Sequence, residues 1–160
     1  MKEHPAQTVT EIPDSLNRLS ERVIGCAIEV HRVLGPGLLE RLYEDALVHE
    51  LQLQDLQAER QVPVQLDYKG VKLTGQRLDL VVEHRLVIEL KAVESVSDLH
   101  LAQLLSYLRA GNLPLGLLIN FNVPLLKKGI HRRVNSPALR VRENVRSASS
   151  APPLRPLRSI

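Results

Sequence analysis

Arg77-Leu78-Asp79-Leu80, followed after a short gap by Val87-Ile88-Glu89-Leu90-Lys91, is the stretch whose reading decides the fold of this chain. Both runs read as β-strands, and strand side chains alternate in direction. Glu89 and Lys91 therefore share one face, while Ile88 and Leu90 share the other. Glu83-His84-Arg85 between the runs is the natural tip of a hairpin. With residue 84 at its centre, Asp79 falls opposite Glu89, at a Cβ separation of roughly 4.5–5.5 Å. A slip of one residue would turn Asp79 to the other face, so the chemistry depends on this register.

Two carboxylates facing each other on a sheet repel. A hard divalent cation, Mg²⁺ or Mn²⁺, removes that conflict, because such ions take oxygen ligands and often use only one or two carboxylates. Lys91 on the same face is suited to orienting a water or to stabilising charge that develops on a phosphate. The alternative is a solvated face on which Asp79 and Glu89 pair with Arg77 and Lys91.

Two helical pieces lie on either side of this unit in the sequence. In Asp98 to Ala110, His100, Gln103 and Tyr107 form a polar stripe, and Leu101, Leu104, Leu105 and Leu108 an apolar one. Asp98 reads as the cap and Gly111-Asn112 as the stop. The stripe either faces solvent or, beside the sheet, holds a phosphate or a metal-bound water. Upstream, Gly37-x-x-Glu40-x-x-Tyr43 puts Glu40 and Tyr43 on one helical face. A first-turn glutamate also suits the helix dipole, which is its purely structural explanation.

The remaining elements follow from periodicity and breakers. Leu16, Leu19, Val23, Ala27, Val30 and Leu34 recur at helical spacing from Ser15 until Gly35-Pro36-Gly37 stops the run. A second helix spans about Leu38 to Gln54, with Leu39, Leu42, Ala46 and Leu47 as inward candidates. Strands are expected over Gln61–Tyr68, Val71–Glu83, Leu86–Val93 and Leu115–Asn122, with a short one at Gly129–Val134. Pro63 indicates an edge strand or a strand start. The order ααβββαββ describes an α/β (α+β) core in which helices cover a small sheet. Residues 1–14 read as a loose lead-in, 15–135 as the folded domain and 136–160 as a basic, disordered tail.

Val30-His31, Leu34-Gly35, Gly37-x-x-Glu40-x-x-Tyr43, Arg77-x-Asp79-Leu80, Glu89-Leu90-Lys91, His100-x-x-Gln103-Leu104-Leu105-x-Tyr107-Leu108 and Gly116-Leu117-Leu118-Ile119-Asn120-Phe121 occur in that order. Together they resemble the GxxExxY protein family, a branch of the PD-(D/E)XK nuclease superfamily, over roughly residues 15–134 and with no large departure. The resemblance implies a restriction-endonuclease-like αβββαβ core, a small mixed sheet flanked by helices. It implies a nuclease site at Glu40, Asp79, Glu89, Lys91, Gln103 and Tyr107. Mg²⁺ or Mn²⁺ would be held by Asp79, Glu89 and the Leu90 carbonyl, assisted by Glu40. Every matching position is filled, which argues against a decayed pseudoenzyme.

Composition narrows the alternatives. The 160 residues include one cysteine, so an internal disulfide and a cysteine-rich zinc site are excluded. Cys26 lies among apolar helix positions and reads as a buried, inert thiol. The six histidines form no metal cluster. His31 is open between a packing role and a site role, and His49, His84 and His131 read as surface residues. No Walker-type loop is present. The start of the chain lacks an export signal and no stretch is apolar enough to span a membrane, so the expected location is cytoplasmic.

The net charge of +3 divides into −5 over residues 1–126 and +8 over residues 127–160. Lys127, Lys128, Arg132, Arg133, Arg140, Arg142 and Arg146 could hold a polyanion or merely aid solubility. With Tyr43, Tyr68, Tyr107 and Phe121 the only aromatic residues, a nucleic-acid partner, DNA before RNA, would be held through its phosphates rather than by base stacking. The leading reading is a Mg²⁺-dependent nuclease. A non-catalytic nucleic-acid-binding module and an interaction protein built on the leucine-rich helices, homodimeric in one form, stand beside it.

Overall fold

A computed structural model describes residues 11–139. Two helices, α1 (Asp14–Leu34) and α2 (Glu40–Leu53), precede three strands, β1 (Ala58–Tyr68), β2 (Val71–Val82) and β3 (Leu86–Lys91). Helix α3 (Asp98–Ala110) then leads to β4 (Leu115–Asn120), a 3₁₀ turn at Leu126–Gly129, and β5 (Ile130–Val134). The strands form one sheet in the order β1-β2-β3-β4-β5. Only β3 and β4 pair in parallel, and α3 is the crossover that this pairing requires. The result is the mixed sheet of the restriction-endonuclease-like fold expected from the sequence.

Helices on both faces explain why β3 and β4 read as almost unbroken apolar runs. Leu80, Val82, Leu86, Ile88, Leu90, Leu115, Leu117 and Ile119 pack towards α1 and α2, with Val23, Ala27, Leu47 and Leu51 among their partners. Val81, Val87 and Leu118 pack on the opposite face with Leu104 and Leu108 of α3. Pro63 lies inside β1, which is an edge strand, where a sheet tolerates a residue without an N–H.

Several local expectations are corrected. Leu39 and Leu42 are exposed at 75% and 41%; the inward face of α2 is Tyr43, Glu44, Leu47 and Leu51. That face repeats at i, i+4, i+8, leaving Leu42 one residue off it, and Leu39 is the N-cap. Ser97, not Asp98, caps α3: its side chain accepts the His100 N–H while His100 Nδ1 accepts the Ser97 N–H. His100 therefore serves the cap rather than a site stripe. Strand β1 begins at Ala58, earlier than expected, where Gln57 N–H binds the Glu83 carboxylate. The folded body also runs past 135, since Ala138 and Leu139 are 0% and 2% exposed. The rest of the expected basic tail, with Arg140, Arg142 and Arg146, and residues 1–10 of the lead-in lie outside the described residues.

The turn between α1 and α2 is held from below. Gly35 (φ 68°) and Gly37 (φ 98°) take left-handed backbone, which glycine adopts without a Cβ clash. Tyr43 Oη donates to Gly35 O at 2.6 Å and accepts from Leu38 N–H at 3.1 Å. Its ring stacks on Phe121 at 4.5 Å between centroids. His31 completes the group by bonding Val123 O at 2.8 Å beside the same Phe121 ring, which is a packing role. This cluster fixes the start of α2 against the end of β4.

Candidate active site

The β2–β3 register pairs Leu80 with Ile88, Val81 with Val87 and Val82 with Leu86, so residue 84 is the centre of the hairpin. Continued by one position, it sets Asp79 opposite Glu89. There the regular ladder stops. Asp79 Oδ2 instead accepts the Leu90 N–H at 2.8 Å, which ties the side chain to the neighbouring strand. Lys91 ends β3 opposite Asn120 at the carboxyl end of the parallel β3–β4 pair, where open α/β sheets present their ligand sites. Asn120 (1% exposed) holds the chain as it leaves β3, accepting from Val93 N–H and donating to Val93 O.

Electrostatics ties these groups together. Burial, then the Asp79 charge, pushes the Glu89 carboxyl up to about 8, with Lys91 pulling it back. Asp79 is also raised, first by burial, while the Leu90 N–H works in the opposite direction. Glu40, in the first turn of α2, is raised by desolvation and then by Asp79, with Lys91 opposing. The site therefore gathers Glu40, Asp79, Glu89 and Lys91 within mutual electrostatic reach.

Gln103 and Tyr107 come to the same place. Gln103 Nε2 donates to Tyr107 Oη at 2.9 Å, and Tyr107 Oη donates to Gln76 Oε1 at 2.5 Å. Tyr107 is 5% exposed, and its hydroxyl is shifted up by burial and by the Glu89 charge. It is not a solvent-facing stripe residue.

Three participants escaped the sequence reading. Gln76 on β2 closes the Tyr107 bridge. Gln61, held at φ 50°, donates to Glu44 Oε2 at 3.0 Å and works to lower Asp79. Glu44, 7% exposed, also accepts from Arg60 Nε at 2.9 Å and so clamps α2 to β1. The only sequence signal for Glu44 was its place one turn after Glu40. Gln76 and Gln61 had none, because their contacts join distant segments.

Of the other candidates, Cys26 is buried and its thiol is raised by that burial, the state of an inert thiol. His84 is exposed and pairs with Glu59 at 2.6 Å. Lys127 and Lys128 occupy the 3₁₀ turn shortly after the end of β4, and Arg132 reaches back to Asn17 Oδ1.

Whether this centre suits a cation can be judged from its own atoms. Glu89 Oε1 is buried with no hydrogen-bond partner, a costly state for a carboxylate oxygen. A hard cation would satisfy it and relieve the repulsion from Asp79. Among the described residues no three His, Cys, Asp or Glu side chains gather into a ready-made cage. Two carboxylates are a sparse donor set, but one that suits Mg²⁺, which keeps several of its waters.

No helix among the described residues is long and apolar enough to cross a membrane. No curated protein matches the chain. One solved structure, described as the crystal structure of SSO0001, aligns at 19% identity with a TM-score of 0.43, covering 86% of this chain and 73% of that one. A family model described as the PD-(D/E)XK nuclease superfamily matches residues 17–133. That span takes in all or part of every element from α1 to β5, including the hairpin that sets Asp79 against Glu89; the chain belongs to the PD-(D/E)XK nuclease superfamily.

Proposed function

We propose that this protein is a Mg²⁺- or Mn²⁺-dependent nuclease of the GxxExxY branch that hydrolyses phosphodiester bonds, with DNA as the preferred substrate. The observation that carries this reading is the orphaned, buried Glu89 Oε1 beside Asp79, with Lys91 on the same strand face. In this reading Asp79, Glu89 and the Leu90 carbonyl hold the cation, and Glu40 assists from α2. When bound, the ion supplies charge neutralisation at the phosphate and a more acidic water.

The protein's own groups do the rest. Lys91 orients the attacking water and offsets charge developing on the phosphate. Gln103 and Tyr107, locked to Gln76, steady the substrate side. Of the four aromatic residues in the chain, Tyr43, Tyr107 and Phe121 are buried. With so few rings for base stacking, the reading favours a duplex held by its phosphates through cations such as Lys127 and Lys128.

The test is incubation of the purified protein with labelled DNA and RNA, with and without Mg²⁺ or Mn²⁺, beside Asp79→Ala and Lys91→Ala. Metal-dependent cleavage that both substitutions abolish is expected. Absence of any such cleavage removes the enzymatic reading.

A second reading has its own support. Val33, Leu34, Leu38, Leu39 and Leu42 are all exposed around the α1–α2 turn, the kind of apolar patch that marks an interaction surface. It describes a non-catalytic module that works through this patch, as a homodimer in its simplest form. Light scattering that shows a dimer broken by Leu39→Glu, together with inert nucleic-acid assays, would favour it.

A further inference from the structure

Two buried side-chain polar atoms among the described residues lack a hydrogen-bond partner. One is Glu89 Oε1, in the candidate active site. The other is Arg85 Nε, and it lies elsewhere. Arg85 stands at the β2–β3 turn, where Glu83 and His84 both take positive φ and Arg85 N–H closes onto Val82 O at 3.1 Å. It lines a cavity of about 570 Å³ together with Ser15, Arg18 and Arg22 of α1. Helix α2 runs from Glu40, at the carboxylates, to Leu53 near this cavity, so about 20 Å separates the two places.

We propose that this cavity is an anion site that takes a phosphate group. Three arginines line it, and among the described residues none of them pairs with a carboxylate within 4 Å. Arg85 reaches only the Ser15 hydroxyl, at 3.4 and 3.5 Å, and Arg22 donates to Gln54 O at 2.6 Å. Two acids share the lining. Glu83 is turned to Gln57 N–H at 2.7 Å, and Asp55 sits in the turn after α2, so the three arginines retain a net positive field.

A planar, forked donor such as guanidinium matches phosphate oxygens, and Arg85, whose Nε has no protein partner, keeps its fork uncommitted to any carboxylate. The group could come from free phosphate or from the 5′ end of a nucleic acid, and the chemistry at the site is the same for both.

The test uses the full chain without divalent metal, so its outcome is independent of cleavage. Thermal stability is followed while inorganic phosphate replaces chloride at constant ionic strength, and affinities are compared for 5′-phosphorylated and 5′-hydroxyl oligonucleotides. Phosphate should raise the melting temperature. Arg18→Ala/Arg22→Ala, two exposed positions, should weaken the response about tenfold or more, and Arg109→Ala on α3 should leave it unchanged. Arg85→Lys, which keeps the charge but loses the fork, should weaken it as well. Arginine-dependent preference for the 5′-phosphorylated oligonucleotide identifies a nucleic-acid end as the source; response to phosphate alone identifies a small anion. No phosphate response beyond that of chloride, or one that survives Arg18→Ala/Arg22→Ala, overturns the proposal.

Discussion

The side chain of Asp79 accepts the backbone N–H of Leu90 at 2.8 Å, at the point where the β2–β3 ladder ends. A carboxylate thus does the work of a strand carbonyl and is fixed beside Glu89. Asp79→Asn keeps an oxygen for that N–H while removing the charge. We expect it to fold with near wild-type stability and to lose cleavage by at least about 100-fold, the scale seen when a group acting on transition-state charge is lost. Asp79→Ala should lose activity equally but also destabilise, by about 1–2 kcal/mol, because the Leu90 N–H is orphaned. Denaturation curves beside cleavage rates separate the two effects. A fully active Asp79→Asn would remove this residue from the machinery.

Glu89 makes the metal-free protein sensitive to alkali. Its carboxyl titrates near 8 when folded and returns towards 4.5 when unfolded. Between those values the native state holds more protons than the unfolded state, so its stabilising contribution is fully present at low pH and is lost as pH rises through the window. The melting temperature in chelator should fall from pH 6 to pH 8. Glu89→Gln, 5% exposed and uncharged, should flatten that dependence and stabilise the metal-free protein at pH 8 by about 1–3 kcal/mol. Mn²⁺ affinity should rise over the same range, since the ligand must be ionised, and titration calorimetry at both pH values measures it. A melting temperature that is level from pH 6 to 8 would contradict this account.

The hairpin of β2 and β3 was legible because two constraints agreed. Apolar alternation set the faces, and Glu83-His84-Arg85 offered a single symmetric tip. Strand β3 was clear because Glu89 and Lys91 alone interrupt its apolar run. Tyr43 was placed correctly on its helical face, but its task was not visible: its partners Gly35 O and Phe121 are brought to it by the turn and by β4. Gln61, Gln76 and Glu44 stayed hidden for the same reason, since their roles arise only when α2, β1, β2 and α3 meet. Leu42 misled because hydrophobic identity was read without the phase of the helix, and Leu39, although in phase, is the N-cap and precedes the packed turns.

Gln103, Tyr107 and Gln76 form one chain of hydrogen bonds between α3 and β2. Tyr107→Phe breaks both bonds at once and leaves the Gln76 amide unbridged. It should cost about 1–2 kcal/mol of stability. It should also lower the cleavage rate, and Gln76→Ala should reproduce most of that loss. The double variant should be little worse than either single change, since neighbours in one network are not additive. Independent, additive effects in that cycle would show that Gln76 is a bystander.

Tyr43 and Gly129 support the site without forming part of it. Tyr43→Phe keeps the stack on Phe121 but releases Gly35 O and Leu38 N–H, so a loss of about 1–2 kcal/mol is expected with cleavage per folded molecule retained. Gly129→Ala meets a harder obstacle. A Cβ there would lie 2.2 Å from Asn120 O, a backbone atom that cannot swing aside. Asn120 in turn grips Val93 just after Lys91, so relief of the clash must displace the end of β4 or the exit from β3. Gly129→Ala should therefore destabilise by about 3 kcal/mol or more and lower cleavage even in the fraction that stays folded. A melting temperature within a degree or two of wild type, with unchanged cleavage, would mean that this end of the sheet does not hold Lys91 in place.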